Sequence, residues 1–157
     1  MGCLVCDRIN LIKKGENPYF VCELETGYVV LGDHQRFKGY TLFLCKKHQT
    51  ELHLLEYSFK MKYLEEMSLV AEAVYNIYHP EKMNHELLGM GDAHIYFHLF
   101  PRHYGDLGKY GNNGNGPVWW LPKEEMWDDQ YRPSLDELKR STQRLKDEIL
   151  RLKAEKN

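Results

Sequence analysis

The segment from residue 94 to residue 102 constrains the fold of this chain more than any other part of the sequence. Over its first six residues, histidine and tyrosine rings alternate with apolar side chains. A period of two is typical of a β-strand, in which successive side chains point to opposite faces. The segment is therefore predicted to be a strand with His94, Tyr96 and His98 on one face. Such a face suits a site for a phosphate or a metal; the alternative is a half-exposed strand whose histidines have no such role.

The size and charge of the chain restrict its class. A chain of 157 residues is long enough for one domain with a substantial core. The net charge of -2, from 21 basic and 23 acidic residues, gives no general attraction to nucleic acid or to an anionic membrane. No apolar run has the length of a membrane span and no basic-then-apolar leader opens the sequence, so we expect a cytoplasmic protein with no nucleic-acid or membrane partner. Four cysteines in such a chain favour thiols or metal ligands over disulfides.

Hydrophobic periodicity predicts an α+β domain. Short strand-like segments surround one long helical segment, an order typical of an antiparallel sheet with a helix across it. The long helix is predicted to begin at a Ser58 cap and to end at His79 and Pro80. The predicted elements are hairpin strands at 20–23 and 28–31, a strand at 40–45, a helix at 58–78 and a strand at 83–88.

The last part of the chain is predicted to be a second long helix. Residues 104–117 are rich in glycine and asparagine and are expected to be irregular. Ser134 and Glu137 then form a capping-box pattern, and the apolar residues that follow make a short heptad seam. This predicts a domain at residues 1–133 and a C-terminal helix at 134–157, which belongs either to the same folded unit or to a dimer interface. The seam consists of Leu135, Leu138, Thr142, Leu145, Ile149 and Leu152.

Four segments of the chain resemble parts of the histidine triad (HIT) superfamily. Residues 94–102 resemble its signature His-x-His-x-His-x-x, here followed by Pro-Arg, and residues 39–48 resemble its Gly-His-Thr strand that leads to Lys-Lys-His. Residues 3–6 resemble the paired cysteines of many bacterial members. Residues 116–120 resemble a C-terminal feature of bacterial members described as diadenosine tetraphosphate hydrolases. The resemblance implies a HIT-like antiparallel sheet with a long helix across it, plus a C-terminal helix, in a homodimer.

The paired cysteines raise the question of a metal. Cys-x-x-Cys spacing lets two thiolates bind one zinc ion, but a structural zinc needs four ligands, and two free thiols are the alternative. The resemblance supplies the other two ligands as the histidine of Lys-Lys-His and the first triad histidine. It thus implies a structural zinc held by Cys3, Cys6, His48 and His94.

The resemblance also implies a nucleotide site. In the family, the middle triad histidine attacks the α-phosphorus of a nucleotide, and water then hydrolyses the nucleotidyl-histidine intermediate. Here His98 would contact the phosphate or leaving group, Asp33 the ribose and Asn84 a phosphate oxygen, while Trp119 and Trp120 would stack on a base. The alternatives are a plain turn aspartate, a strand-edge asparagine and a tryptophan pair in a core or dimer contact.

One triad position departs from the family. The catalytic positions are His94, Tyr96 and His98, and the middle one, the nucleophile, is a tyrosine here. Ionising a phenol with a pKa near 10 at pH 7 costs about 4 kcal/mol. His98 lies one pleat repeat away, about 6.5 to 7 Å along the strand, which is a large offset for an in-line displacement.

Three functional hypotheses follow. The first is a HIT nucleotide-binding protein that resembles dinucleoside polyphosphate hydrolases and has weak or absent turnover. The second is a non-catalytic, zinc-stabilised nucleotide-binding or interaction protein. The third is a working enzyme in which Tyr96 or His98 serves as an unusual nucleophile.

Overall fold

The chain forms a five-stranded antiparallel sheet. The structure is a computed structural model that describes residues 2–156. The strand order is β1-β2-β3-β5-β4, so that the edges are β1 and β4. This confirms the predicted α+β class. No helix within residues 2–156 has the length and apolar character needed to cross a membrane. The elements are α1 (Leu4–Lys13), β1 (Phe20–Glu23), β2 (Gly27–Leu31), β3 (Thr41–Cys45), α2 (Tyr57–Tyr78), β4 (Lys82–Leu87), β5 (Tyr96–Arg102), α3 (Lys123–Met126) and α4 (Leu135–Glu155).

Strand alternation gives the sheet two apolar faces, each with its own core. On the helix-covered face, side chains such as Val29, Phe43 and Leu99 pack with residues of α2 and α4. On the opposite face, here called the site face, side chains such as Leu44 and Phe100 pack with α1 and with the segment from residue 107 to α3. Because both faces are covered, the middle strands are almost fully buried.

The ends of α2 differ slightly from the prediction. The helix begins at Tyr57, so Ser58 lies inside the first turn and not at the cap, and its hydroxyl donates to the Glu56 carboxylate at 2.8 Å. The predicted end is confirmed: His79 adopts a left-handed conformation with φ of 49° and Pro80 follows. A proline cannot continue a helix, which explains the stop.

A buried carboxylate joins α2 to the β1–β2 turn. Glu66 is only 5% exposed. Its oxygens accept hydrogen bonds from the backbone N–H groups of Glu25 and Thr26 at 3.0 and 2.8 Å and from the Thr26 hydroxyl. These donors satisfy the charge that burial would otherwise leave without a partner, and they fix the hairpin against the helix.

The C-terminal helix packs on its own chain. Ser134 caps α4 by accepting from the Glu137 N–H at 3.2 Å, as the capping-box pattern predicts. α4 contacts α2 and β1. The buried seam residues Leu138, Leu145, Ile149 and Leu152 belong to the core of the helix-covered face.

Candidate functional site

The strand β5 brings the polar residues Tyr96 and His98 to the site face. In the pairing register, Tyr96 lies opposite Leu44 of β3, and His98 lies between Leu42 of β3 and Glu86 of β4. The strand begins at Tyr96, two residues later than predicted. His94 lies just before it in a bend, and its backbone N–H donates to the Asp92 carbonyl oxygen. The segment still follows β3, because the Ile95 carbonyl accepts from the Cys45 N–H and the Ile95 N–H donates to the Gln49 carbonyl.

Cys3, Cys6, His48 and His94 form one cluster. Their ligand atoms all lie within 4.8 Å of one another. The two imidazole Nδ1 atoms are 3.2 Å apart, the Cys6 sulfur is 3.3 Å from the His48 Nδ1, and the Cys3 sulfur is 3.5 Å from the His94 Nδ1. With Zn–S of about 2.3 Å and Zn–N of about 2.0 to 2.1 Å, tetrahedral zinc separates S from N by about 3.6 Å and N from N by about 3.4 Å. The cluster therefore fits a tetrahedral zinc ion.

Neighbouring groups orient the cluster. The His94 Nε2 lies 2.8 Å from the carbonyl oxygen of Cys45, and because a carbonyl only accepts, Nε2 carries the hydrogen and Nδ1 keeps a free lone pair. Asp92 accepts from the Val5 backbone N–H at 2.8 Å and lies 3.9 Å from the Cys3 sulfur. The loop between β4 and β5, which contains Asp92, is thus tied to the first turn of α1.

The acid–base properties of the cluster favour a metal at the imidazole, whereas the Cys6 thiol would ionise only with the cation bound. Burial, followed by hydrogen bonding and charge repulsion from Cys3, raises the pKa of Cys6 to about 11. Burial lowers the pKa of His94, which keeps its imidazole neutral. Thiolate and neutral imidazole are the forms that bind metal, and a bound cation lowers the pKa of a coordinating thiol.

A cluster of aromatic rings surrounds His98. The Tyr40 hydroxyl lies 2.6 Å from the His98 Nδ1, and the Tyr40 ring stacks on Phe100 with centroids 4.2 Å apart. The Tyr96 ring tilts toward His98, with centroids 4.8 Å apart. Burial lowers the pKa of His98 to about 4, so this imidazole is neutral at pH 7. Burial, followed by the nearby Asp92 charge, raises the pKa of Tyr96 above its usual value.

Asp33 is paired with a residue that the sequence analysis missed. Both of its oxygens accept from the Arg8 guanidinium at 2.9 Å. Burial alone would raise the pKa of Asp33, but the hydrogen bonds and charge of Arg8 outweigh it and lower the pKa. The carboxylate is therefore ionised and held in one orientation at the end of β2.

Asn84 belongs to a polar network on β4 and β5. Its side-chain oxygen accepts from Arg102 at 2.8 Å. Arg102 is only 8% exposed and also donates to both Asp106 oxygens and to the Gly116 carbonyl. This network fixes the Asn84 oxygen and ties the loop after β5 to the sheet.

The two tryptophans follow that loop and are largely open to solvent. Trp119 is 71% exposed and Trp120 is 40% exposed, and their rings meet edge to face with centroids 5.8 Å apart. A side chain at position 116 would come within 2.3 Å of the Trp120 ring, so the close approach requires Gly116. Val118 anchors the turn in the core of the site face.

The geometry thus gathers some predicted residues and adds others. The four metal-ligand candidates meet in one cluster. Asp33 instead pairs with Arg8, and Asn84 belongs to the separate network around Arg102. Sequence reasoning missed Arg8, Tyr40, Asp92 and Arg102 as partners of site residues. The resemblance offered a signal for two of them: Tyr40 stands where the Gly-His-Thr motif has histidine, and Arg102 belongs to the Pro-Arg that follows the triad signature.

Comparison with solved structures identifies the fold of the chain. No protein-family model and no curated protein matches it. Among solved structures, a hypothetical histidine triad nucleotide-binding protein from Sulfolobus tokodaii aligns with a TM-score of 0.68 and 16% identity over 94% of each chain. A zinc-bound histidine triad family protein from Mycobacterium smegmatis aligns with a TM-score of 0.63 and 20% identity, covering 98% of this chain and 97% of that one. A HIT family member from Bacillus subtilis aligns with a TM-score of 0.59 and 23% identity, covering 89% and 92%. The chain therefore has the histidine triad fold.

Proposed function

We propose that this protein binds a nucleotide or dinucleoside polyphosphate on the site face, that a structural zinc ion stabilises it, and that its hydrolytic turnover is weak or absent. One observation carries the proposal: the triad strand of a histidine triad fold has Tyr96 at its middle position, beside a neutral His98. His98 and Asn84 would contact a phosphate, while the nucleophile that the resemblance implies at position 96 is missing.

The binding part of the proposal rests on three polar positions, which lie after β2, on β5 and on β4. The Asp33 carboxylate, oriented by Arg8, has lone pairs left on both oxygens for the ribose hydroxyls. His98 offers an imidazole nitrogen to a phosphate oxygen. Asn84 keeps its amide N–H groups for the same purpose, because only its oxygen is used by Arg102. The naming of the Sulfolobus tokodaii protein as nucleotide-binding supports this assignment.

The tryptophans complete the proposed nucleotide site. Trp119 and Trp120 have open ring faces next to a glycine-rich loop. Aromatic faces stack on planar bases, so one or both rings would cover the base of a bound nucleotide.

The proposed zinc ion would have a structural role. All four candidate ligands are side chains of this chain, which leaves no open coordination position for a reacting water. The ion would join α1 to the loop after β3 and to the start of β5. The zinc in the Mycobacterium smegmatis structure supports the choice of metal.

Low turnover follows from the chemistry of a phenol. At pH 7 the Tyr96 hydroxyl is almost wholly protonated and is a poor nucleophile, because a phenol ordinarily has a pKa near 10 and burial raises the pKa of Tyr96 further. An attack by Tyr96 would form an aryl phosphodiester, which hydrolyses much more slowly than a phosphoramidate. The site therefore resembles those of enzymes that hydrolyse dinucleoside polyphosphates, but we do not expect it to perform this reaction well.

Calorimetric titration with AMP and with its 2′,3′-dideoxy analogue tests the binding proposal. We expect the wild-type chain to bind AMP more tightly than the analogue. In Asp33→Asn that preference should fall by roughly tenfold or more, because a charged acceptor of ribose hydroxyls is lost. Asp147→Asn on the exposed side of α4 is the matched control and should leave both affinities unchanged. Failure of the wild-type chain to bind AMP at millimolar concentration would refute the proposal.

A further inference from the structure

The contact between Tyr40 and His98 defines which imidazole nitrogen faces the site. The Tyr40 hydroxyl is the only side-chain partner of the His98 Nδ1 within residues 2–156, at 2.6 Å. Tyr40 is 9% exposed, and its ring is held in a stack with Phe100 at an interplanar angle of 10°. The hydroxyl is thus rigidly placed, and Nε2 is the nitrogen left for a ligand.

A hydrogen bond of this kind has two possible directions. If the His98 Nδ1 donated to the phenol oxygen, the buried Tyr40 O–H would have no acceptor among the described residues. Leaving a buried donor without a partner costs about 1 to 3 kcal/mol. If Tyr40 donates to Nδ1, the hydrogen lies on Nε2 instead, and the partly exposed His98 can satisfy it with water or a ligand.

We propose that Tyr40 donates its hydroxyl hydrogen to the His98 Nδ1 and thereby holds His98 as the Nε2–H tautomer, a donor to an anionic oxygen and not a nucleophile. Tyr40 is then a positioning residue, because it acts on a ligand only through His98. The identity of that oxygen as a nucleotide phosphate rests on the proposed function. The tautomer itself does not, since it follows from contacts within the chain.

This assignment argues against one part of the third functional hypothesis, in which His98 serves as the nucleophile. A neutral imidazole attacks through a nitrogen that has a free lone pair. In the Nε2–H tautomer the free lone pair is on Nδ1, where the Tyr40 hydroxyl occupies it. His98 therefore does not replace the missing histidine nucleophile at position 96, and its contribution is a hydrogen bond to the bound anion.

Nitrogen-15 NMR of histidine-labelled full-length protein at pH 7 tests the tautomer. His98→Gln assigns the resonances. We expect the His98 Nε2 to have the shift of a protonated ring nitrogen and Nδ1 that of an unprotonated one. Tyr40→Phe should shift both values toward a mixture of tautomers. Tyr63→Phe is the matched control, because it removes a buried hydroxyl that donates to the Phe43 carbonyl on the helix-covered face, and it should leave both His98 values unchanged.

A wild-type His98 with the hydrogen on Nδ1 would overturn the proposal, and so would a Tyr40→Phe spectrum identical to that of the wild type. A second arm measures AMP affinity, which Tyr40→Phe should weaken by roughly threefold to tenfold while Tyr63→Phe does not. If the tautomer is as expected but the wild-type chain does not bind AMP, the inference stands and the proposed function fails.

Discussion

At the scale of single residues, the site face combines two histidines of one strand segment with a tyrosine between them. His94 and His98 are present, and each has one ring nitrogen fixed by a neighbour, the Cys45 carbonyl in one case and the Tyr40 hydroxyl in the other. Tyr96 lies between them with its ring tilted toward His98. The hydrogen bonds that fix these two ring nitrogens do not involve the residue at position 96, so a change there is expected to alter chemistry more than geometry.

Restoring histidine at position 96 should therefore restore turnover. We expect the wild-type chain to hydrolyse adenosine phosphoramidate at least about 10³-fold more slowly than Tyr96→His, by the size of effects seen when a nucleophile is lost. AMP affinity should change little, because a nucleophile acts mainly in the transition state. Side-by-side steady-state assays on adenosine phosphoramidate and diadenosine tetraphosphate measure this. Equal activity of the two proteins would mean that residue 96 is not the nucleophile position.

At the scale of elements, the sequence predicts what depends on local periodicity. The β1–β2 hairpin, α2 and α4 lie within a residue or two of their predicted bounds, because each has a clear apolar pattern and turn or cap residues at its ends. The pairs Arg8–Asp33 and Tyr40–His98 were not predicted. Their partners are 25 and 58 residues apart in sequence, and no local pattern reports which side chains the sheet brings together.

Local sequence spacing could not predict the metal cluster, because its four residues lie on three different segments. Cys3 and Cys6 lie at the start of α1, His48 follows β3, and His94 precedes β5. Only the resemblance to a known family joined these segments before the structure did. A metal ion bound by all of them would hold α1 on the site face.

Zinc removal should thus loosen the N-terminal helix. We expect elemental analysis of protein purified without added metal to give one zinc per chain, and a strong chelator to lower the melting temperature. Cys6→Ser should lose the metal and melt at the temperature of the chelated wild type. Cys22→Ala changes a buried cysteine outside the cluster and should keep the zinc. Well under one zinc per chain in the wild type, with no chelator effect on melting, would contradict the assignment.

At the scale of the whole molecule, the main question is how two copies would associate. Four of the six α4 seam residues are buried against the same chain, which leaves only Leu135 and part of Thr142 open to a second copy, so a second copy would need another surface. The outer edge of β4 has no partner strand within residues 2–156. The residues at and after its end include exposed apolar side chains, with Leu88 64% exposed and Met90 fully exposed. Unpaired strand edges and exposed apolar groups favour association.

We therefore expect a homodimer that forms through the β4 edge. Sedimentation equilibrium at micromolar concentration should give twice the chain mass of 18.7 kDa. Leu88→Asp should shift the protein to a monomer without unfolding it, because the new charge would be desolvated only in the dimer. Leu150→Asp, at a 47% exposed position on α4, is the matched control and should remain dimeric. A wild-type monomer would refute the dimer, whereas loss of the dimer only in Leu150→Asp would move the interface to α4.

Removing residues 134–157 is a poorer test of the interface. It would uncover Leu145 and Ile149, which are 0% exposed, and so would unfold the chain whose association is to be measured.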